Sequence, residues 1–600
     1  MGLRQIPLQY RKAEELEAFL GSPIIDDQVF SFKRSIEWDE AEQYPEPACE
    51  ALNEWGLHLH YIPRLHGGLL QSFDELMAIM KTVARRDLTV AIAHGKTFLG
   101  AVSSWVGGSE DQQRRLALII KRRGKLSLGL TERRHGSDLM ANEARAEEVQ
   151  DHYSLSGEKW LISNATRGAA ITVLARTNAD GGPRGYSLFL VEKDQLEKSS
   201  FSVLQKVKTL GIVGADISGI RFKDCLVPRR ALIGRLGAGL EILLKGFQLT
   251  RVLIPALSLG AADTALRITL SFALSRRLYG KSLFDIPHAR SVLVDAFLDL
   301  LICDCVATGA ARALHVAPDQ VSLLSALAKY FVPTTMQAAV HILSLILGAR
   351  HYLREGHGSG VFQKILRDIA ILGIFDGSTA VNLDAISLQL RSLAEGRVKN
   401  KEGEREEIEK RLRQVFALDE ELEEFDVSRL SLHNRGRDDV VQGLETAIDE
   451  MRRLQDMDAV GGGVIESLLE STGSLIRHLK VQDELLTAGK SDGRPWASQS
   501  PEAFEMASRY SRIHAGAACL QMWLRNRERL DEFFGGGEWV AMSLERILKS
   551  FEPERALERR IPASYEARVA EEMARRYWEN HLFSLVPLRL ANSHFDEELS

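Results

Sequence analysis

The chain has 600 residues, 45% of them hydrophobic and 26% charged, the make-up of a globular protein large enough for about three to five structural units. This excludes a mostly disordered, collagenous or disulfide-scaffold chain, and a formal charge of −6 offers no global basic field to nucleic acid or anionic lipid. Five scattered cysteines (Cys49, Cys225, Cys303, Cys305, Cys519) with no Cys-x-x-Cys pair suit a reducing cytosol, so the expected location is cytoplasmic.

Met1 to Arg4 lead into charged and not apolar residues, so no secretory leader is expected. Residues 1–125 read as an N-terminal all-α domain. Leu76, Ile79, Met80 and Val83 fall at helical spacing, and residues 90–106 form an apolar run with small residues at close intervals. From residue 126 the period becomes two. Residues 126–131 and 153–157 alternate, and 171–174 and 186–191 are short β-rich runs bounded by turn residues. Residues 126–235 are therefore expected to form a small β-domain, a barrel or sandwich.

The glycine-rich stretch 234–239 lacks the Gly-Lys-Ser/Thr ending of a phosphate loop and the glycine spacing of a dinucleotide fingerprint. It reads as the turn into the next unit. Residues 236–395 return to the helical period, with Leu249, Leu253 and Leu257 at i, i+4 and i+8, and are expected to form a four-helix bundle. Pro255 and Pro333 should kink or end its helices. Asp295, Asp299 and Asp304 interrupt the best apolar run, so no membrane span and no integral membrane association is expected.

Residues 396–410 read as a charged hinge, and 401–600 as a C-terminal helical extension. The extension carries 28 Lys and Arg against 40 Asp and Glu, a balance of −12, and the first 400 residues carry 48 against 42, or +6. An acidic tail argues against nucleic acid as a partner. Local basic pairs such as Arg452-Arg453 and Arg559-Arg560 read as solvated helix faces. The fold class is α+β, mostly α. His58, His60 and His66 have no carboxylate or thiolate at metal-ligand spacing, so no metal is expected, and no Gly-x-Ser-x-Gly elbow suggests a hydrolase.

Five further segments stand in a recognisable order. They are Ile62-Pro63-Arg64-Leu65-His66-Gly67-Gly68, Leu130-Thr131-Glu132-Arg133-Arg134-His135-Gly136-Ser137-Asp138, Gly157-Glu158-Lys159-Trp160-Leu161-Ile162-Ser163-Asn164, Arg276-Arg277-Leu278-Tyr279-Gly280-Lys281 and Phe375-Asp376-Gly377-Ser378-Thr379. With the order helices, β-domain, bundle, the chain over about residues 50–390 resembles the acyl-CoA dehydrogenases, flavoproteins that desaturate acyl thioesters.

The resemblance implies FAD as cofactor and Asp376 as the base that takes the α-proton, where most members have Glu. The base position of a second branch falls on Thr250, which cannot serve. A base for such a proton is expected in an apolar cavity. Leu130 and Thr131 would lie along the flavin ring, Ser163 would face its N5, and Ser137 would lie near the pyrophosphate. Tyr279, Gly348 and Ser378 complete the implied cofactor-binding set, and Arg276 of a neighbouring subunit would pair with the pyrophosphate. The family's ring-covering Trp is Leu161 here, with Trp160 one position early. Its Pro-Gly-Ala turn is Arg133-Arg134-His135, and its adenosine-side glutamines are Pro287 and Leu345. The ring side is kept and the adenine side rewritten.

The implied substrate is an acyl-CoA or an acyl-carrier protein, and the electron acceptor an electron-transfer flavoprotein or oxygen. The assembly implied is a homodimer, because extra helices would occupy the face on which a second dimer docks. Two alternatives are a nitroalkane-oxidase-like flavin oxidase, which also uses Asp, and a catalytically silent flavoprotein scaffold acting through its tail.

Overall fold

The computed structural model describes residues 6–594, apart from 179, 181, 400–403, 458–459, 489–498 and 559. Part of the charged hinge and Arg559 thus lie outside the described residues. The chain opens with α1 (Leu8–Leu20), α2 (Phe32–Glu40), α3 (Glu46–Trp55), α4 (Phe73–Arg86), α5 (Leu88–Gly107) and α6 (Glu110–Lys121). Local chemistry sets the boundaries of the last three. Ser72 and Asp87 accept hydrogen bonds from the first amides of α4 and α5, and Ser109 with Gln112 forms a capping box on α6.

Strands β1 (Leu126–Gly129), β2 (Arg145–Val149), β3 (His152–Ser163), β4 (Ala170–Arg176), β5 (Tyr186–Glu192), β6 (Phe201–Leu204), β7 (Ile217–Pro228) and β8 (Leu232–Ile233) follow. They hydrogen-bond in the order β6-β7-β3-β2-β4-β5-β8, with β1 parallel to β4. The β2–β4 junction is a single residue pair, Arg145 with Arg176. Its two halves bury Tyr153, Leu155, Ile220 and Phe222 against Ile171, Val173, Phe189 and Val191 in one core, a sandwich-like closure. Strand β3 changes register between Trp160 and Ile162, where Leu161 takes φ +57°. This bulge turns Leu161 out of the sheet.

The helical third part contains α7 (Gly239–Ser275), the hairpin β9 (Arg277–Leu278) and β10 (Lys281–Ser282), α8 (Pro287–Val316), α9 (Val321–Leu347), α10 (Val361–Asp368) and α11 (Thr379–Lys399). Pro255 and Pro333 lie inside α7 and α9 and end neither of them. Tertiary burial of both helices outweighs the lost backbone bond. Gly239–Ser275 and Val321–Tyr352 are also long and apolar enough to cross a membrane, against the expectation of none. Their most apolar windows are 83% and 44% buried within the protein. The sequence reading weighed the Asp-broken run of α8 and passed over helices whose charges are few.

The extension comprises α12 (Arg405–Phe416), α13 (Asp439–Gln442), α14 (Leu444–Asp456), α15 (Gly462–Ala488), α16 (Pro501–Asn526), α17 (Glu532–Gly536), α18 (Glu538–Lys549) and α19 (Ala563–Trp578). It shares one continuous hydrophobic core with the bundle and the N-terminal helices. The three aspartates of α8 mark the seam. Arg546 pairs with Asp299 at 2.6 Å and Asp295 at 2.8 Å, and Lys81 donates to Asp304 at 2.9 Å and to Ser584 at 3.0 Å. Arg312, fully buried, joins Asp74 to the carbonyls of Gln414, Val415, Ala417 and Glu420.

Candidate active site

Between the sheet, α5, α7 and the turn before α11 lies a cleft of about 1160 Å³. Six of the nine implied site residues line it: Leu130, Thr131, Ser137, Ser163, Asp376 and Ser378. Leu161, re-aimed by its bulge, and Ile162 share that wall. Trp160 instead lies against Arg133, whose guanidinium sits 5.1 Å from its ring centre. Apolar faces edged by hydroxyls suit a flat, partly polar ring system such as a flavin.

A second space, about 50 Å³, adjoins the cleft beside Asp376 and is walled by α4, α5 and α7 through Leu76, Met80, Phe98, Leu253, Ile254 and Leu257, among others. Thr250 lies on its wall.

Asp376 stands where the two spaces meet. Its backbone is left-handed, φ +54°, and Gly377 follows at φ +96°, conformations that mark an over-determined turn. That turn is held from outside. Arg251 Nε donates to the Asp376 carbonyl at 3.0 Å. Lys329 Nζ donates to the carbonyls of Leu372 at 2.6 Å and Gly377 at 3.2 Å. Asn382 Nδ2 donates to the carbonyls of Gly377 and Ser378, both at 2.9 Å.

The Asp376 side chain is 6% exposed and pairs with Lys96 Nζ at 2.9 Å. Lys96 Nζ also lies 3.5 Å from the Phe375 ring centre. The expected apolar setting is therefore half present: the carboxylate is buried, but cations converge on it. Burial pushes Lys329 down to about 7 and Arg251 to about 10, and lowers Lys96, although Asp376 pulls all three back up.

The loop carrying Thr131 and Ser137 is pinned from beneath. Fully buried Lys159 donates to Glu132 at 2.7 Å, to Asn142 at 2.5 Å and to the Leu130 carbonyl at 3.2 Å. Glu132 also accepts from the amides of Glu143 and Ala144. Burial pushes Lys159 down to about 8 against the pull of Glu132. The rewritten Arg133-Arg134-His135 turn thus rides on an internal ion pair.

Arg276, Tyr279 and Gly348 lie outside this cleft. Arg276 follows the last residue of α7, Tyr279 is 96% exposed at the β9–β10 turn, and Gly348 follows α9 on the surface. Sequence reasoning missed Lys96 and Lys329, although each is the lone Lys or Arg in its helix. It also read 234–239 only as a turn, whereas Arg235, Leu236, Gly237 and Ala238 line the cleft.

Helices, a closed sheet and a bundle around a ring-sized cleft with a buried acid at its edge define a flavin-dependent dehydrogenase scaffold. Three domain profiles of one family match the chain in order: the acyl-CoA dehydrogenase N-terminal domain over 31–118, the middle domain over 127–225 and the C-terminal domain over 237–390. The chain belongs to the acyl-CoA dehydrogenase family, FAD-using oxidoreductases that act on the CH–CH of acyl-CoA.

A probable acyl-CoA dehydrogenase, FadE25, of Mycobacterium tuberculosis is 29% identical over 358 residues, 59% of this chain and 90% of the relative. The butyryl-CoA dehydrogenase of Megasphaera elsdenii aligns at TM-score 0.56 and 22% identity, covering 64% of this chain and 98% of its own. An acyl-CoA dehydrogenase of Bacillus anthracis complexed with FAD aligns at TM-score 0.66 and 17% identity over 96% of both chains. The fold of the extension is thus shared with a relative of equal span.

Proposed function

We propose that the protein desaturates an acyl thioester between Cα and Cβ, with Asp376 as the α-proton base. The observation that carries this reading is the buried Asp376 carboxylate at the junction of a flavin-sized cleft and an apolar pocket. FAD, when bound along the wall of Leu130, Thr131, Leu161 and Ser163, supplies the hydride acceptor that no side chain can provide.

The chain's own residues do the rest. The apolar pocket takes the acyl tail and excludes water from the reacting carbons. The outside bonds to the turn fix the carboxyl group, which takes the α-proton on an oxygen. The amide of Asp376 would donate to the thioester carbonyl. Arg251 and Lys329, both buried, add positive potential where enolate charge develops.

With its walls as they stand, the pocket of about 50 Å³ takes only a short acyl group, and a longer one needs a wall to move. Coenzyme A and a carrier protein both present the thioester on a pantetheine arm, and either suits the cleft; an electron-transfer flavoprotein or oxygen would take the electrons. A homodimer is supported by the exposed Ile342, Leu345 and Tyr352 along and beyond α9 and would let Arg276, Tyr279 and Gly348 reach a partner's cofactor. Five free, buried cysteines support a cytoplasmic location.

The test is anaerobic bleaching of the flavin by a panel of acyl-CoAs, acyl-carrier proteins and nitroalkanes. Bleaching by thioesters alone is expected. Bleaching by nitroalkanes alone would transfer Asp376 to an oxidase, whose nitronate the same cations suit. A colourless protein that takes up no FAD would overturn both and favour a scaffold.

A further inference from the structure

Five residues, Ile92, Lys96, Leu99, Phe375 and Asp376, line both the cleft and the apolar pocket and so form the partition between them. Lys96 is the anomaly. It is a buried ammonium in an otherwise apolar stretch of α5, and such a charge is tolerated only when paired. Its partner is the carboxylate assigned above to the α-proton.

The pair is not needed to hold the turn. Arg251, Lys329 and Asn382 hold the backbone of residues 372–378 through its carbonyls, whereas Lys96 touches the Asp376 side chain. Asp376 Oδ1, 2.9 Å from the ammonium, is not presented to a C–H bond. Lys96 is also the movable member. Arg251 and Lys329 are tied to carbonyls, while the flexible lysine stem borders the open cleft and can carry its head there.

We propose that the Lys96–Asp376 ion pair is a latch across the partition. An entering acyl chain displaces it, and Lys96 thereby determines which acyl groups reach the pocket. The inference rests on Asp376 as the base. Lys96 acts as a specificity-determining residue: its departure frees Asp376 Oδ1 and opens the pocket in one movement. Chains too short to enter the pocket gain nothing from opening it.

Deprotonating Lys96 should open the same latch. The titratable groups around it are Asp376 on the turn, Arg251 on α7, Lys329 on α9, His94 on α5 and Tyr61 on the Leu57–Tyr61 turn; Glu241 and Asp384 line the cleft side. Burial pushes His94 down to about 3 and Tyr61 well up, so neither changes charge above neutral pH. Burial lowers Lys96 below the usual lysine range, and Lys329, held at about 7, loses its charge over the same interval in every variant.

The test uses unreactive S-alkyl-CoA thioethers of increasing chain length, titrated calorimetrically into the FAD-loaded protein near neutral pH and about two units higher. Lys96→Met is expected to bind long thioethers at least ~10-fold tighter than wild type, because no buried pair must be broken, with little gain for the shortest. Lys96→Arg should match wild type near neutral pH and lack the further rise with pH, because a guanidinium stays charged. Wild-type affinity for long probes should rise with pH more steeply than that of Lys96→Met, which keeps only the response of Lys329. Should Lys96→Met not fold, the difference in pH response between wild type and Lys96→Arg decides.

Equal affinities and equal pH responses in wild type and Lys96→Met overturn the latch, as does failure of every form to bind any thioether. If thioethers bind as expected but matching thioesters leave the flavin oxidised, the latch stands and the desaturation reading falls.

Discussion

At the scale of single residues the site is built around Asp376, yet its geometry depends on neighbours that do no chemistry. A Cβ on Gly377 would lie 2.7 Å from Arg251 Nη2, at a φ of +96° that side chains rarely adopt. Gly377→Ala should therefore cost about 1–3 kcal/mol and slow flavin reduction together, read by denaturant unfolding and stopped-flow bleaching. An unchanged midpoint and rate would show that the turn tolerates the side chain.

Lys329 gives a pH-linked expectation. Its folded value, about 7, lies below that of an unfolded lysine. Between the two the unfolded chain binds more protons, so stability rises with pH above about 7. Lys329→Met should flatten that rise in denaturant midpoints, and an identical slope would remove Lys329 as its source. Asp376 was legible because it sits in a recognisable segment. Lys96 and Lys329 were not, because a lone lysine in an apolar run shows its partner only when distant elements are brought together.

Among the elements, periodicity carried the reading well. Helical spacing around Leu76 and alternation from Leu126 placed α4 and the sheet. Pro255 and Pro333 end neither helix, because burial of both helices outweighs the local steric rule. The bulge at Leu161 was hidden: the resemblance put Leu161 and not Trp160 at the ring-covering position, and the register shift against β7 shows how it reaches the cleft.

The loop over the cleft supplies a prediction at this scale. Lys159→Met leaves Glu132 buried without its cation, which should cost about 3–5 kcal/mol and loosen FAD. Arg133→Ala removes a half-exposed pair with Glu158 and should change stability by about 0–1 kcal/mol. Equal FAD dissociation rates for the two variants would contradict the pinning role of Lys159.

For the whole molecule, the extension is part of the fold and not an appendage. Asp295, Asp299 and Asp304 looked in sequence like interruptions of an apolar helix; in the fold they meet Arg546, Lys81 and Ser584. A chain ending at residue 399 would expose the core shared with α16, α18 and α19 and leave those aspartates without the extension's partners. It should aggregate or melt far below the full chain in calorimetry. A soluble fragment with the full chain's melting temperature and FAD content would refute this view.

The central claim concerns proton removal by Asp376. The direct measurement is single-turnover flavin bleaching by a thioester that reduces the wild type, compared in Asp376→Asn protein with equal FAD content. A loss of about 10²–10⁴-fold in rate is predicted, with a primary isotope effect from α-deuterated substrate in the wild type. Bleaching of Asp376→Asn at the wild-type rate would contradict the account.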